Sequence, residues 1–160
     1  ALLTVAILVV VLLMVVLGSA RLGLFAGNAP TNLGLSEGKL KPPSKTPNSV
    51  SSQTGLWPDH PQLAEASIAP LSLKGDGPAT IARLAQIVEG MPGARIVERK
   101  PDYLYVQFTT RWLKFVDDTE FWVDPEASVI QVRSASRVGS GDLGVNRARV
   151  EEIRRQLVAS

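Results

Sequence analysis

Residues 102–136 read DYLYVQFTTRWLKFVDDTEFWVDPEASVIQVRSAS, and their alternation decides the fold. From Asp102 to Thr110, Leu104, Val106 and Phe108 fall on one side, and Tyr103, Tyr105 and Gln107 on the other. That period of two predicts a half-buried strand. Lys114 to Asp124 alternates again, with Phe115, Thr119, Phe121 and Val123 sharing a side. Asp124-Pro125-Glu126 is a turn, and Ser128 to Ser136 is a further strand carrying Val129, Ile130 and Val132. Upstream, Arg95 to Arg99 is a short strand closed by the turn Lys100-Pro101-Asp102. Four strands joined by short turns predict an antiparallel meander.

Helical spacing flanks the meander on both sides. Ile81, Leu84, Ala85 and Val88 make one apolar face, Pro78 suits a first helical turn, and Met91-Pro92-Gly93 ends the helix. After the loop Val138 to Gly144, a last helix starts near Asn146 and turns Val150, Ile153 and Leu157 inward. Arg147 with Glu151, and Glu151 with Arg155, are expected as i,i+4 pairs on its solvent side. The expected fold is α+β: a globular domain over 57–160, with a four-stranded antiparallel sheet and two helices packed on one face.

Two different stretches precede that domain. Residues 1–18, ALLTVAILVVVLLMVVLG, carry no charge. A helix of about 18 residues is about 27 Å long, close to the hydrocarbon thickness of a bilayer. Residues 1–20 therefore read as a transmembrane anchor lodged in the lipid bilayer. The rival reading is a signal peptide cleaved after Ala20, but the apolar run is longer than a signal core. Residues 21–56 carry nine Gly or Pro punctuation points, from Gly23 to Gly55, which forbid a continuous helix. Leu22, Leu24, Phe25, Leu33, Leu35, Leu40 and Val50 are too apolar for a solvated tether. An extended strap lying on the domain is favoured over a disordered linker.

Composition narrows the function classes. With 17 basic and 15 acidic side chains interspersed, the net charge of +2 is too even for a nucleic-acid binder. There is no cysteine, which excludes disulfides and thiol chemistry.

Several blocks carry a resemblance. Leu24-Phe25-Ala26-Gly27, Pro30-Thr31-Asn32-Leu33-Gly34, Pro47-Asn48 with Val50-Ser51-Ser52, and Ile68-Ala69-Pro70-Leu71 stand in order. Phe115-Val116-Asp117-Asp118 with Glu120-Phe121, the run Arg133 to Gly139, and Asp142 to Arg147 continue them. Together they resemble the domain-of-unknown-function family fourteen-ninety-nine (DUF1499) over about residues 24 to 158. The resemblance implies a bacterial or plastid-lineage protein, often behind a membrane anchor or signal, with no established activity. It also implies two cysteines at the positions of Pro43 and Ser49, both missing here, which would have paired with each other. Such a pair fits an oxidising compartment, so the domain is expected on the periplasmic or luminal side.

Candidate chemistry is sparse. Asp117 and Asp118 should point to opposite faces, while Asp118 and Glu120 share one and, with Asp142, could hold Ca²⁺ or Mg²⁺. The plainer expectation is pairing of these acids with Arg133 and Arg137 on neighbouring strands. The loop before the last helix, with Arg147, could hold an anion at the helix N-terminus. Otherwise Asp142 and Asn146 cap that helix. His60, the only histidine, lacks the neighbours of a triad or zinc site. Phe25, Trp112 and Leu113 are candidate interface residues, and Arg111-Trp112-Leu113-Lys114 suits a partner or a headgroup, although core packing of the tryptophans is favoured.

No catalytic set stands out. The expectation is a single-pass, non-enzymatic accessory or scaffold subunit without cofactor or metal. It docks on a larger integral-membrane protein complex, photosynthetic or respiratory by the lineages the resemblance implies. The alternative is an anion- or metal-binding module, or an undetected enzyme, using Asp118, Glu120, Arg133, Arg137 and Arg147.

Overall fold

A computed structural model describes residues 1–160. The chain opens with helix α1 (Leu2–Arg21). At 20 residues it is long and apolar enough to cross a membrane, and no residue of its apolar length is buried before Ala20. The remaining order is β1 (Ser49–Ser51), a 3₁₀ turn (Thr54–Leu56), α2 (Leu63–Ala66), β2 (Leu71–Ser72), α3 (Gly77–Glu89), β3 (Ala94–Arg99), β4 (Tyr103–Thr109), β5 (Val116–Asp124), β6 (Val129–Ser136) and α4 (Val145–Ala159).

The meander is present as β3 to β6, all antiparallel, and the sheet order is β1-β6-β5-β4-β3. The sheet has six strands, not four, because β1 and β2 both pair with the outer edge of β6. The extra strands have three and two residues, too few to show a period. The helices number four: the expected N-terminal helix α1 and covering pair, with the one-turn α2 added.

α3 starts where Asp76 accepts the Ala79 amide at 2.7 Å and Pro78 enters the first turn. α3 and α4 cover one sheet face. Leu104, Val106, Phe108, Phe121, Ile130 and Val132 from the sheet meet Ile81, Leu84, Val88, Val150, Ile153 and Leu157 in a single core. α4 carries i,i+3 pairs, Arg154 with Glu151 and Arg155 with Glu152, in place of the expected i,i+4 ones. Arg147 is drawn away instead, donating to the carbonyls of Glu65 and Ser67 at 2.9 and 2.8 Å.

The second sheet face is covered too. Residues 28–47 run across it as an ordered strap. Leu40 is buried against Tyr103 and Tyr105, with Leu33 and Trp122 beside them. The domain is thus three layers: helices, sheet, strap.

The junction between α1 and the domain has no slack. Ala20 is buried, Phe25 stacks on Phe115 at 5.8 Å, and Gly27 lies against Arg137 and Val138. Gly27 has φ +67°, and a Cβ there would sit 2.8 Å from side-chain carbons of both residues. Only glycine fits that approach.

Candidate functional site

Alternation along β5 divides the predicted polar cluster between two faces. Asp117 points to the helices, while Asp118 and Glu120 point under the strap.

Under the strap, Asp118 takes a two-pronged grip from Arg137, Nε and Nη2 each at 2.8 Å. Tyr105 donates its hydroxyl to the same carboxylate. The Asp118 hydrogen bonds hold Arg137 above its ordinary pKa, against the opposing effect of burial. Both groups are nearly buried, so the geometry of the pair matters more than for a surface ion pair.

Glu120 is wholly buried. One oxygen accepts the Gly34 amide at 2.7 Å and the Tyr103 hydroxyl at 2.8 Å. The other has no hydrogen-bond partner and lies 4.0 Å from Arg133 Nη1. Burial lifts the Glu120 carboxyl above the usual range, although Gly34, Tyr103 and Arg133 pull the other way. Burial likewise lowers Arg133, which donates Nε to the Pro42 carbonyl of the strap at 3.1 Å. Tyr103, buried beside this carboxylate, is held protonated. These polar groups fasten the strap.

The helix face carries a second network. Asp117 pairs with Arg149 at 2.6 Å, and the same guanidinium stacks 4.4 Å above the Phe108 ring. Asn146, fully buried, accepts from Ser134 and from Arg149. Its amide donates to the Asn48 carbonyl, to Ser136 and to Asp142 at 3.3, 3.0 and 2.8 Å. Asp142 also accepts the Gly144 and Asn146 amides at 2.9 and 3.0 Å. Burial pushes its carboxyl up, but the Asn146 and backbone donors outweigh that and lower it.

Asp118 and Glu120 therefore share no site with Asp142. No group of three or more His, Asp or Glu side chains converges as a metal ion would need. Arg147 lines a small cleft with Asp142 and Gly144 but bonds to neither, its guanidinium being committed to the Glu65 and Ser67 carbonyls. His60 accepts the Gln62 amide at 3.1 Å through Nδ1 and meets no carboxylate.

The candidate interface residues separate by exposure. Phe25 and Leu113 are half-buried, and Trp112 is 64% exposed rather than in the core. Tyr103, Tyr105, Arg149 and Asn48 escaped the reading of the sequence. For Arg149 the signal was available, since it lies one turn from Asn146 on the inward side of α4.

The positions of Pro43 and Ser49 are both buried, and Ser49 Oγ accepts the Ser44 amide at 2.8 Å. A hydrogen bond thus closes the short loop at the point where the resemblance implies paired cysteines. The double variant P43C/S49C should form a disulfide on mild oxidation and gain about 2 to 3 kcal/mol. A thiol count and a thermal melt with and without reductant would check it.

This is a small α+β domain of three layers in which a strap seals the outer sheet face. The sequence model for DUF1499, described as a protein of unknown function, matches residues 39–157, and the chain belongs to that family. The match begins at the strap's Lys39, so the blocks from 24 to 38 lie outside it. Comparison with curated proteins and with solved structures returned no match.

Proposed function

We propose that this chain is a single-pass membrane-anchored accessory subunit, non-enzymatic, whose domain is held at the bilayer surface against a larger integral-membrane complex. The observation that carries the reading is the junction. Only three residues separate Arg21, the end of α1, from Phe25, already stacked on the domain. A short joint suits a domain that must meet a partner at fixed height. The internal pairing of Asp117, Asp118 and Asp142 supports the same reading, because it leaves no converging reactive groups. We place the domain on the periplasmic or luminal side, on the ground of the implied cysteine pair, and regard a photosynthetic or respiratory complex as the fitting partner.

The test is to solubilise source membranes in mild detergent, isolate the full chain and weigh the intact assembly by native mass spectrometry. A stable assembly several times the mass of the chain is expected. A lone monomer that co-isolates with nothing would sink the reading.

A further inference from the structure

We propose that the notch between the end of α1 and the β4–β5 turn binds the phosphate headgroup of an anionic membrane lipid; this rests on the membrane-anchored reading above. The notch has a volume of about 290 Å³ and is lined by Leu17, Arg21, Arg111, Trp112 and Lys114. Three of the five lining residues are cations, and none is an acid.

Depth follows from covalent geometry. Leu17 is the last large apolar residue of the span and Arg21 its first charge, so a cavity touching both sits at the headgroup layer once α1 is in a bilayer. The opposite wall is brought there by the sheet. β4 ends and β5 begins at this end of the domain, beside Phe25, so the turn 110–115 faces the membrane.

The charges are unspent. Arg133, Arg137, Arg149, Arg154 and Arg155 each have a carboxylate within 4.0 Å, but Arg21, Arg111 and Lys114 have none, nor any side-chain hydrogen bond; Lys39, Lys45, Lys74, Arg83 and Arg99 are unpaired too, but only these three converge on one cavity. Arg111 instead lies 4.9 Å over the Trp112 ring, which keeps its guanidinium edge open to a further acceptor. Lys114 holds φ at +58°, a left-handed backbone that side-chain-bearing residues adopt at a cost. Lys114 stands in the notch wall at that corner.

The surroundings match an interface. Leu22 and Leu24 are 80% and 69% exposed beside the notch in sequence. Leu143 is fully exposed in the loop that shares a cavity wall with Thr110 and Phe115. Exposed leucines with a tryptophan and unpaired cations form the pattern of a surface that meets headgroups and the upper acyl chain. Free phosphate would satisfy the cations but not Trp112 and the leucines, so the proposal commits to the lipid.

The experiment uses the full chain in nanodiscs of phosphatidylcholine containing one-fifth phosphatidylglycerol. Native mass spectrometry after mild-detergent release counts the phosphatidylglycerol retained. The wild type should hold it in preference to phosphatidylcholine, less so as salt rises. Each cation removed should cut retention about fivefold, and the triple variant Arg21→Gln/Arg111→Gln/Lys114→Gln on the order of 100-fold. Lys74→Gln/Arg83→Gln, two exposed cations outside the notch, should leave it unchanged. No preference in the wild type, or equal loss in the control variant, overturns the lipid site. Inorganic phosphate binding in pure phosphatidylcholine discs and displacing phosphatidylglycerol would overturn the commitment to lipid. Failure of the chain to enter discs of pure phosphatidylcholine would overturn the anchor reading instead, before any lipid is counted.

Discussion

Glu120→Ala should cost about 3 to 5 kcal/mol in chemical denaturation at pH 7 and free residues 33–42 from the sheet. The variant strands the Gly34 amide, the Tyr103 hydroxyl and the Arg133 charge at once, all in a layer closed to water. Hydrogen exchange at Gly34 and Leu40 should accelerate well beyond the rest of the domain. Glu120→Gln keeps an acceptor for Gly34 and Tyr103 and is neutral like the protonated carboxyl that the buried site prefers, so a cost under about 1 kcal/mol at pH 7 is expected, far less than for Ala. The pH profile separates the two roles. Folding raises the Glu120 pKa from 4.5, so the folded state binds the proton more tightly than the unfolded one. Stability from this group is therefore greatest below the free-glutamate value and falls as pH rises through the folded pKa. Glu120→Gln should lack that fall. A loss under about 1 kcal/mol in Glu120→Ala would show that the carboxylate does not fasten the strap.

Asn146→Ala should be comparably damaging, at about 3 to 5 kcal/mol, since it leaves several buried groups without partners at about 1 to 3 kcal/mol each. The side chain ties α4 to β6 through Ser134 and Ser136, to the start of β1 through the Asn48 carbonyl, and to the preceding loop through Asp142. Asn146→Asp tests the donor role. It keeps an acceptor for Ser134 and Arg149 but sets an oxygen against the Asn48 carbonyl and Asp142. The Asp variant should therefore unfold as readily as the Ala variant at pH 7. Wild-type stability in Asn146→Asp would mean that the amide donors carry little.

The meander and its two covering helices were legible because their periods repeat over six or more residues, as in β4 and α3. Pro78 marked the first turn of α3 by chemistry that is local in the chain, whereas the Asp76 cap showed only in the structure. β1 and β2 were not legible. Their place is fixed by pairing with β6, as in Ser49 opposite Ala135, and by Val50 entering the core. The polar face of the sheet was legible only in part. Alternation put Tyr103, Tyr105, Asp118, Glu120 and Arg133 on the sheet face away from Leu104 and Phe121 without saying what covers it; all are buried, with Leu33 and Leu40 packed on the tyrosines and the strap's Gly34 and Pro42 bonded to Glu120 and Arg133. The apolar residues of the strap and the aromatic character of that face were the available signs. The pairing of Asp118 with Arg137 was expected from strand neighbours, whereas Arg149 reaches Asp117 from a helix that no strand pattern could place.

The strap also dictates an order of events during synthesis. Gly34 waits for Glu120, and Asn48 for Gly139, separations of 86 and 91 residues. Contacts of such high sequence separation close late, since the intervening loop must first lose its freedom. β1 has no partner until β6 exists, and the helix face stays open until α4 follows. The first segments made are therefore among the last to find their places. A nascent chain whose α1 is already in lipid would carry an unclosed domain at the membrane until nearly its whole length had emerged, with fast local formation of α3 and slow docking of its own beginning.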